Sequence, residues 1–302
     1  MNRPSASLPP TVYFLISAVF HYLGPSFAVL LFAEMSPLGV AWLRIASAAL
    51  VFALWLPPWR AIAQSKAPAR RLILLLGAIL GAMNMSFYLA IERLPLATVA
   101  AIEFAATIAV ALIGLRSARN VLALGLAVAG VMLLAGVELS GGFIDAGVLS
   151  DHQGRASTLG LGFAFANALL FALYVVVGHA VARQGGASGI ARLGSAMAVA
   201  FLFASPFGLA DAAKLVSHPL LILAGIGVGI SSSVIPYVCD QLAMARLPRA
   251  SFALMLTLLP AIAAVSGALV LGQVPGPADL AGIALVVLGV GLHRPAEIEG
   301  QG

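Results

Sequence analysis

The chain has 302 residues, of which 62% are hydrophobic and only 9% are charged, and its mean hydropathy is +1.07. Soluble proteins carry charge on about a quarter of their residues, so this composition excludes a water-soluble globular domain. The formal charge of +5 is dispersed between apolar segments and forms no basic stripe, which argues against nucleic-acid binding.

Ten apolar segments follow one another along the chain, each close to the roughly 20 residues that a helix needs to cross a bilayer. In chain order they occupy residues 11–32, 38–57, 70–91, 95–114, 119–138, 157–182, 188–210, 219–244, 248–272 and 277–294. The sequence therefore predicts an all-α integral membrane protein with ten transmembrane helices.

The basic residues predict how these helices are oriented. Twelve Lys and Arg residues fall in the alternate loops that include both termini, whereas three fall in the other loops. Short cytoplasmic loops carry the excess of positive charge in membrane proteins. Both termini are therefore predicted to be cytoplasmic, which requires an even number of helices.

An internal repeat divides the chain into two predicted halves. Arg93-Leu-Pro follows the third predicted helix, and Arg246-Leu-Pro follows the eighth, 153 residues later. Because five predicted helices separate the copies, the halves must lie in opposite orientations in the bilayer. Inverted repeats of this kind are typical of secondary transporters, which bind substrate near the midplane between the halves. We predict the domains 1–139 for the first five-helix repeat, 140–156 for a linker, 157–294 for the second repeat and 295–302 for a cytoplasmic tail.

Three stretches resemble a known family. Gly81 to Pro95 with the following Glu103-Phe104, Trp42-Leu43-Arg44, and the block from Pro236 to Gly267 are similar to the threonine and homoserine exporter group of the drug/metabolite transporter superfamily, whose domains are of the EamA type. The resemblance implies a secondary transporter that exports a neutral amino acid such as threonine or homoserine. Export of drugs or other metabolites is the alternative within the same superfamily.

The resemblance also sets expectations about partners. Members of the family typically work against a proton gradient, so we expect a small-molecule substrate, protons as the coupling ion, a lipid bilayer and no cofactor. Arg outnumbers Lys by 14 to 2, which favours a bacterial source and the inner membrane. Neither a disulfide nor a Cys-rich metal site is expected, because Cys239 has no partner.

Ionisable residues inside predicted membrane helices are costly and usually face a cavity or a partner. Glu103 lies roughly 12 Å below the outer surface and Arg44 roughly 9 Å, so they could meet at similar depth. Glu103 is a candidate proton carrier, and Arg44 a candidate ligand for a substrate carboxylate. The alternative is a structural ion pair between them.

A second set of candidates is polar. Asp240 lies one turn after Pro236, which frees a backbone carbonyl, although an acid near the cytoplasmic end could simply reach interfacial water. Asn84 and Tyr88 share one helical face and, with Tyr237, could orient the polar head of a substrate. The alternative is that these side chains only hold helices together.

Two other classes of membrane protein were weighed against a transporter. An intramembrane serine hydrolase would use a G-x-S-G motif, but Ala264 stands where that motif has its first glycine before Ser266-Gly267. A channel would also need polar pore residues, but inverted halves favour alternating access over a fixed pore. We therefore expect a transporter and not an enzyme.

Overall fold

The computed structural model describes residues 8–94, 96, 99–100, 102–103, 117–134, 154–183, 186–272 and 276–292. Every regular element within these ranges is a helix. The α-helices are α1 (Pro10–Val29), α2 (Pro37–Trp55), α3 (Pro58–Gln64), α4 (Ala67–Ile91), α5 (Ala118–Leu134), α6 (Gly154–Ala182), α7 (Gly186–Gly208), α8 (Ala212–Ser217), α9 (Pro219–Gly229), α10 (Ile235–Met244), α11 (Arg249–Met255), α12 (Leu259–Leu271) and α13 (Pro277–Leu292). Three 3-10 turns cover Leu30–Ala33, Leu209–Asp211 and Leu256–Leu258, and a π-helical turn covers Ile230–Val234.

Six helical segments in the described part of the chain are long and apolar enough to cross a membrane. They are Pro10–Ala33, Pro37–Trp55, Ala67–Ile91, Thr158–Ala182, Gly189–Asp211 and Pro219–Met244. Each coincides within a few residues with a predicted span, so the all-helical membrane character is confirmed.

The remaining four predicted spans are covered only in part. Helix α5 lies in the predicted span 119–138, helices α11 and α12 share the span 248–272, and α13 occupies the span 277–294. The predicted span 95–114 lies almost entirely outside the described residues, as do the tail 295–302 and most of the linker 140–156. Helix α6 begins at Gly154, slightly before the predicted start at 157. The count of ten helices stays a prediction.

Helix starts follow from local chemistry. Proline opens α2, α9 and α13, where its missing amide hydrogen leaves no intrahelical bond unmade. Ser36 caps α2, because its hydroxyl accepts a hydrogen bond from the Gly39 amide at 3.1 Å. At the other end of a helix, Gly272 has a φ of 69°, the left-handed conformation that commonly ends an α-helix.

The N-terminal helices pack mainly on C-terminal helices. Helix α1 contacts α10 and α12, α2 contacts α7 and α9, α4 contacts α6 and α7, and α5 contacts α13. Two glycines permit close approaches near the π turn: a Cβ on Gly24 would collide with Ser232 of that turn, and a Cβ on Gly229 would collide with Ser47 of α2. Small residues at such crossings are typical of membrane helices, which pack without a hydrophobic driving force.

The outer surface of the bundle is apolar. Leu54, Leu220 and Leu269 are each more than 75% exposed, whereas the buried side chains include tyrosines on four helices: Tyr22, Tyr88, Tyr174 and Tyr237. A surface rich in leucine with tyrosines inside suits a hydrocarbon solvent, where polar groups must find partners within the protein.

Candidate functional site

A small cavity lies between helices from the two ends of the chain. It is lined by His21, Pro25, Arg44, Met83, Asn84, Phe87, Glu103, Asn167 and Tyr237. Four of the six predicted site residues line it, namely Arg44, Asn84, Glu103 and Tyr237. Tyr88 and Asp240 are buried as well, but they are not part of the cavity lining.

The side chain of Arg44 enters this cavity from α2 and is only 3% exposed. Its Nε donates to the hydroxyl of Ser233 at 2.8 Å, and its Nη2 donates to the carbonyl of Ser232. That carbonyl is available because Pro236, four residues later, has no amide hydrogen to donate to it. The proline in this helix therefore supplies an acceptor, as the sequence suggested, but Arg44 uses it.

The ring of Tyr88 contacts the same guanidinium. The Arg44 Cζ lies 5.6 Å from the centre of the Tyr88 ring, a cation–π distance. The Tyr88 hydroxyl has no hydrogen-bond partner among the described residues. Tyr88 therefore acts on the cavity through Arg44 and does not line the cavity itself.

Glu103 contributes the carboxyl of the site and is 2% exposed. The hydroxyl of Tyr22 on α1 donates to its Oε2 at 3.3 Å. Within the described residues, no nitrogen of Arg44 comes within 4.0 Å of a Glu103 oxygen, so the two charges share the cavity without direct contact.

Asn84 and Tyr237 join α4 to α10. The Asn84 amide donates to the Tyr237 hydroxyl at 3.2 Å and to the Leu80 carbonyl at 2.7 Å. This hydrogen bond holds the two helices together. Both side chains also line the cavity.

Asp240 lies in a different environment, away from the cavity lining. Ser17 donates to its Oδ1 at 2.5 Å and Tyr174 donates to its Oδ2 at 2.9 Å. The residue is 2% exposed. Its carboxyl therefore has one hydroxyl donor on each oxygen and is buried, in contrast to the interfacial water contact considered from its sequence position.

Two residues of the site were not among the candidates from the sequence. Asn167 on α6 is 1% exposed, faces Glu103 and lines the cavity, and Tyr22 is the donor to Glu103. A polar amide in the apolar run 157–182 was the available signal for Asn167, since such residues seldom face lipid. Tyr22 gave no comparable signal, because tyrosine is common at membrane interfaces.

Among the residues with described positions, no three His, Cys, Asp or Glu side chains form a cluster that could hold a metal ion. Cys239 is buried and free.

Comparison with known proteins identifies the family. Over 279 residues the chain is 32% identical to the threonine/homoserine exporter RhtA of Escherichia coli (strain K12), covering 92% of this chain and 88% of that protein. It is also 32% identical over 280 residues to threonine/homoserine exporter RhtA of Salmonella typhimurium (strain LT2), at 92% and 87% coverage. The EamA-like transporter family matches residues 158–293. The chain belongs to the EamA-like transporter family.

A solved crystal structure supports the fold of this EamA-like transporter. It superposes with a TM-score of 0.63 at 17% identity and covers 93% of this chain and 96% of the other. The family match and the 32% identity to the exporters confirm the resemblance found in the sequence. The chain is a multi-pass protein of the bacterial inner membrane and a metabolite exporter.

Proposed function

We propose that this EamA-like transporter exports a small neutral amino acid such as threonine or homoserine and draws its energy from protons that move inward. The observation that carries the proposal is the cavity in which Arg44 and Glu103 lie without pairing directly. Relatives named threonine/homoserine exporters, 32% identical over 92% of this chain, support the choice of substrate.

The cavity chemistry fits a small polar solute. A buried guanidinium can bind a carboxylate through two parallel hydrogen bonds, and in Arg44 the Nη1 group has no hydrogen-bond partner among the described residues. Phe87 and Met83 provide apolar walls beside it. A pocket with a few polar groups on apolar walls is the usual form of a small-molecule site.

Alternating access would arise from two inverted repeats, residues 1–139 and 157–294, joined by the linker 140–156. Arg93 lies 5.6 Å above the ring of Phe163, and Arg246 lies 5.4 Å above the ring of Tyr13. The two arginines are the matched positions of the repeat, and each contacts an aromatic residue near the start of a helix from the other end of the chain. This reciprocity supports a two-fold relation between the halves.

A hydrogen bond between the two halves also supports a two-fold relation. Asn84 and Tyr237, which donate and accept the hydrogen bond between α4 and α10, are 153 residues apart. That is the offset between Arg93 and Arg246, so the bond would join equivalent positions close to the pseudo-two-fold axis. Substrate sites of inverted-repeat transporters lie near this axis, at the bilayer midplane.

Glu103 would couple the proton to the substrate. A proton that enters from outside would neutralise the carboxyl, weaken its attraction for a cationic group of the substrate and favour outward release. Deprotonation toward the cytoplasm would restore the negative charge and reset the carrier. Both termini are cytoplasmic in this scheme, so export runs away from the side that carries most Arg and Lys residues.

Inside-out vesicles that contain the protein test the proposal. With a pH gradient that drives protons out of the vesicle lumen, labelled threonine or homoserine should accumulate inside, and collapse of the gradient by an ionophore should abolish accumulation. Vesicles from cells that lack the protein are the control. Accumulation of neither amino acid would contradict the substrate assignment, and a screen of drugs and other metabolites would then test the alternative within the family.

A further inference from the structure

Asn167 is a buried amide that lines the cavity beside Glu103 and lacks a hydrogen bond of ordinary geometry. It is 1% exposed, lines the cavity and faces the Glu103 carboxyl. Neither its Nδ2 nor its Oδ1 has a hydrogen-bond partner of ordinary geometry in the described part of the chain. A buried amide left without a partner costs about 1–3 kcal/mol, so such a group beside a cavity indicates a ligand.

We propose that Glu103 and Asn167 form a subsite for the ammonium group of the substrate, opposite Arg44, which binds the carboxylate. This inference rests on the proposed export of amino acids and adds how the carrier distinguishes a zwitterion from other small solutes. An ammonium group has three donors and no acceptor. The carboxylate of Glu103 and the Oδ1 of Asn167 are two acceptors that line the cavity together.

Asn167 would contribute both an acceptor and a donor to this subsite. With its Oδ1 turned toward the ammonium group, its Nδ2 is left to donate to the Glu103 carboxylate. The Tyr22 hydroxyl already donates to the Oε2 of Glu103 at 3.3 Å. The three side chains come from α1, α6 and the segment after α4, so the subsite depends on helices from both ends of the chain.

Arg44, which lines the same cavity, would bind the carboxylate of the same substrate. The described hydrogen bonds of Arg44 use its Nε and Nη2, so its Nη1 is left for a ligand carboxylate. A site with a free cationic donor on one side and free acceptors on the other selects for both charges of an amino acid. A solute that lacks either charge would leave buried polar groups unpaired, which such sites reject strongly.

This geometry gives the ammonium group and the proton the same binding partner. When Glu103 carries a proton, it has lost the charge that attracts the ammonium group. Competition at one carboxyl would therefore couple proton entry to substrate release.

Competition for exchange of labelled threonine tests the subsite in the natural protein. The two probes are threonine methyl ester, which lacks the carboxylate, and 3-hydroxybutyrate, which is threonine without its amino group. Each should compete at least about tenfold less well than unlabelled threonine, the size expected when a hydrogen bond to a charged group is lost. If 3-hydroxybutyrate competes as well as threonine, the ammonium subsite is wrong although export of amino acids stands.

Asn167→Leu tests whether Asn167 contributes to threonine binding, and Gln241→Leu is the matched control. Gln241 is also a buried amide with no described partner, but it does not line the cavity. Asn167→Leu should raise the KM for threonine about tenfold, with little change in maximal exchange rate, and leave competition by 3-hydroxybutyrate unchanged. Gln241→Leu should leave the KM within about twofold.

Two results would overturn this inference and leave the proposed function standing. An equal rise in KM for both variants, or none for Asn167→Leu, would overturn the role of Asn167. Because the analogue series needs no variant, a failure of Asn167→Leu to fold does not remove the test. If the natural protein exchanges neither threonine nor homoserine, the proposed function and this inference fall together.

Discussion

Two buried carboxyls in this bundle have different surroundings. Asp240 receives one hydroxyl donor on each oxygen, from Ser17 at 2.5 Å and from Tyr174 at 2.9 Å. Glu103 receives a longer hydrogen bond of 3.3 Å from Tyr22 and lines a cavity that also contains a guanidinium. Both residues are 2% exposed, so burial alone does not distinguish them.

The number of fixed hydrogen-bond donors to a buried carboxyl is therefore a better basis for proposing a function than its depth in the membrane. A carboxyl whose lone pairs are met by fixed donors is stabilised in one state and has little to offer a ligand. A carboxyl with few donors beside a cavity can exchange partners during a transport cycle. We therefore propose that Glu103 couples protons to transport and that Asp240 has a mainly structural role, and four substitutions test this distinction.

The largest effect is expected from Arg44→Gln. The substitution removes the only described cationic group of the cavity and leaves the Ser232 carbonyl without its donor. Exchange of threonine should fall roughly 10- to 100-fold, the range for lost hydrogen bonds to a charged group. Labelled exchange per folded carrier is the measurement, and Arg44→Lys, which keeps the charge but not the planar fork, should retain more activity. Normal exchange by Arg44→Gln would show that this guanidinium does not bind substrate.

Tyr174→Phe should give the next largest effect, on stability. It removes the donor to the Oδ2 of Asp240, so the carboxyl stays buried with one partner fewer. The free energy of unfolding should drop by about 1–3 kcal/mol, whereas transport per folded carrier should change little. Thermal unfolding in lipid nanodiscs measures the first quantity and vesicle uptake the second. A transport defect in a fully folded variant would move Asp240 into the proton pathway.

Tyr22→Phe is the matched substitution at the other carboxyl. Its hydroxyl makes the longer bond, to Glu103, so its loss should cost less stability than Tyr174→Phe, about 1 kcal/mol or below. Threonine uptake driven by the pH gradient should nevertheless slow, because the Glu103 carboxyl has lost the hydroxyl that donates to it. Equal behaviour of the two Tyr→Phe variants in both assays would contradict the comparison.

Ser205→Ala should have the smallest effect on transport. Its hydroxyl accepts from Trp42 Nε1 at 3.2 Å across the contact between α2 and α7, outside the cavity lining. Loss of this neutral hydrogen bond should lower stability by about 0.5–1.5 kcal/mol without changing uptake. A clear loss of uptake with normal folding would mean that this contact takes part in the transport movement.

The sequence was sufficient for the all-helical membrane character, because the length of an apolar run changes little when one or two residues are assigned wrongly. Six predicted spans coincide with long apolar helices, and the prolines that open α2 and α9 lie at or beside the predicted boundaries. Helices α4 and α6 each begin three residues before their predicted spans, at Ala67 and Gly154, because polar residues such as Arg155 can continue a helix beyond the hydrocarbon core.

The candidate site was less predictable because contacts between helices do not follow from depth. Similar depths for Arg44 and Glu103 suggested an ion pair, but Arg44 bonds to Ser233 and Ser232 instead. Asn167 carried only a weak signal, since its importance arises from facing Glu103 across helices. Rotation of each helix about its axis decides such contacts, and it is set by packing with other helices.

The most direct test of the account compares Glu103→Gln with Asp240→Asn in the same inside-out vesicles. Both substitutions replace a buried carboxyl by its amide, and both threonine uptake driven by the pH gradient and threonine exchange without a gradient are measured. The account predicts that Asp240→Asn still accumulates threonine, whereas Glu103→Gln exchanges it only at raised substrate concentration and no longer responds to the gradient. Gradient-driven accumulation by Glu103→Gln, or its loss only in Asp240→Asn, would contradict the central role of Glu103.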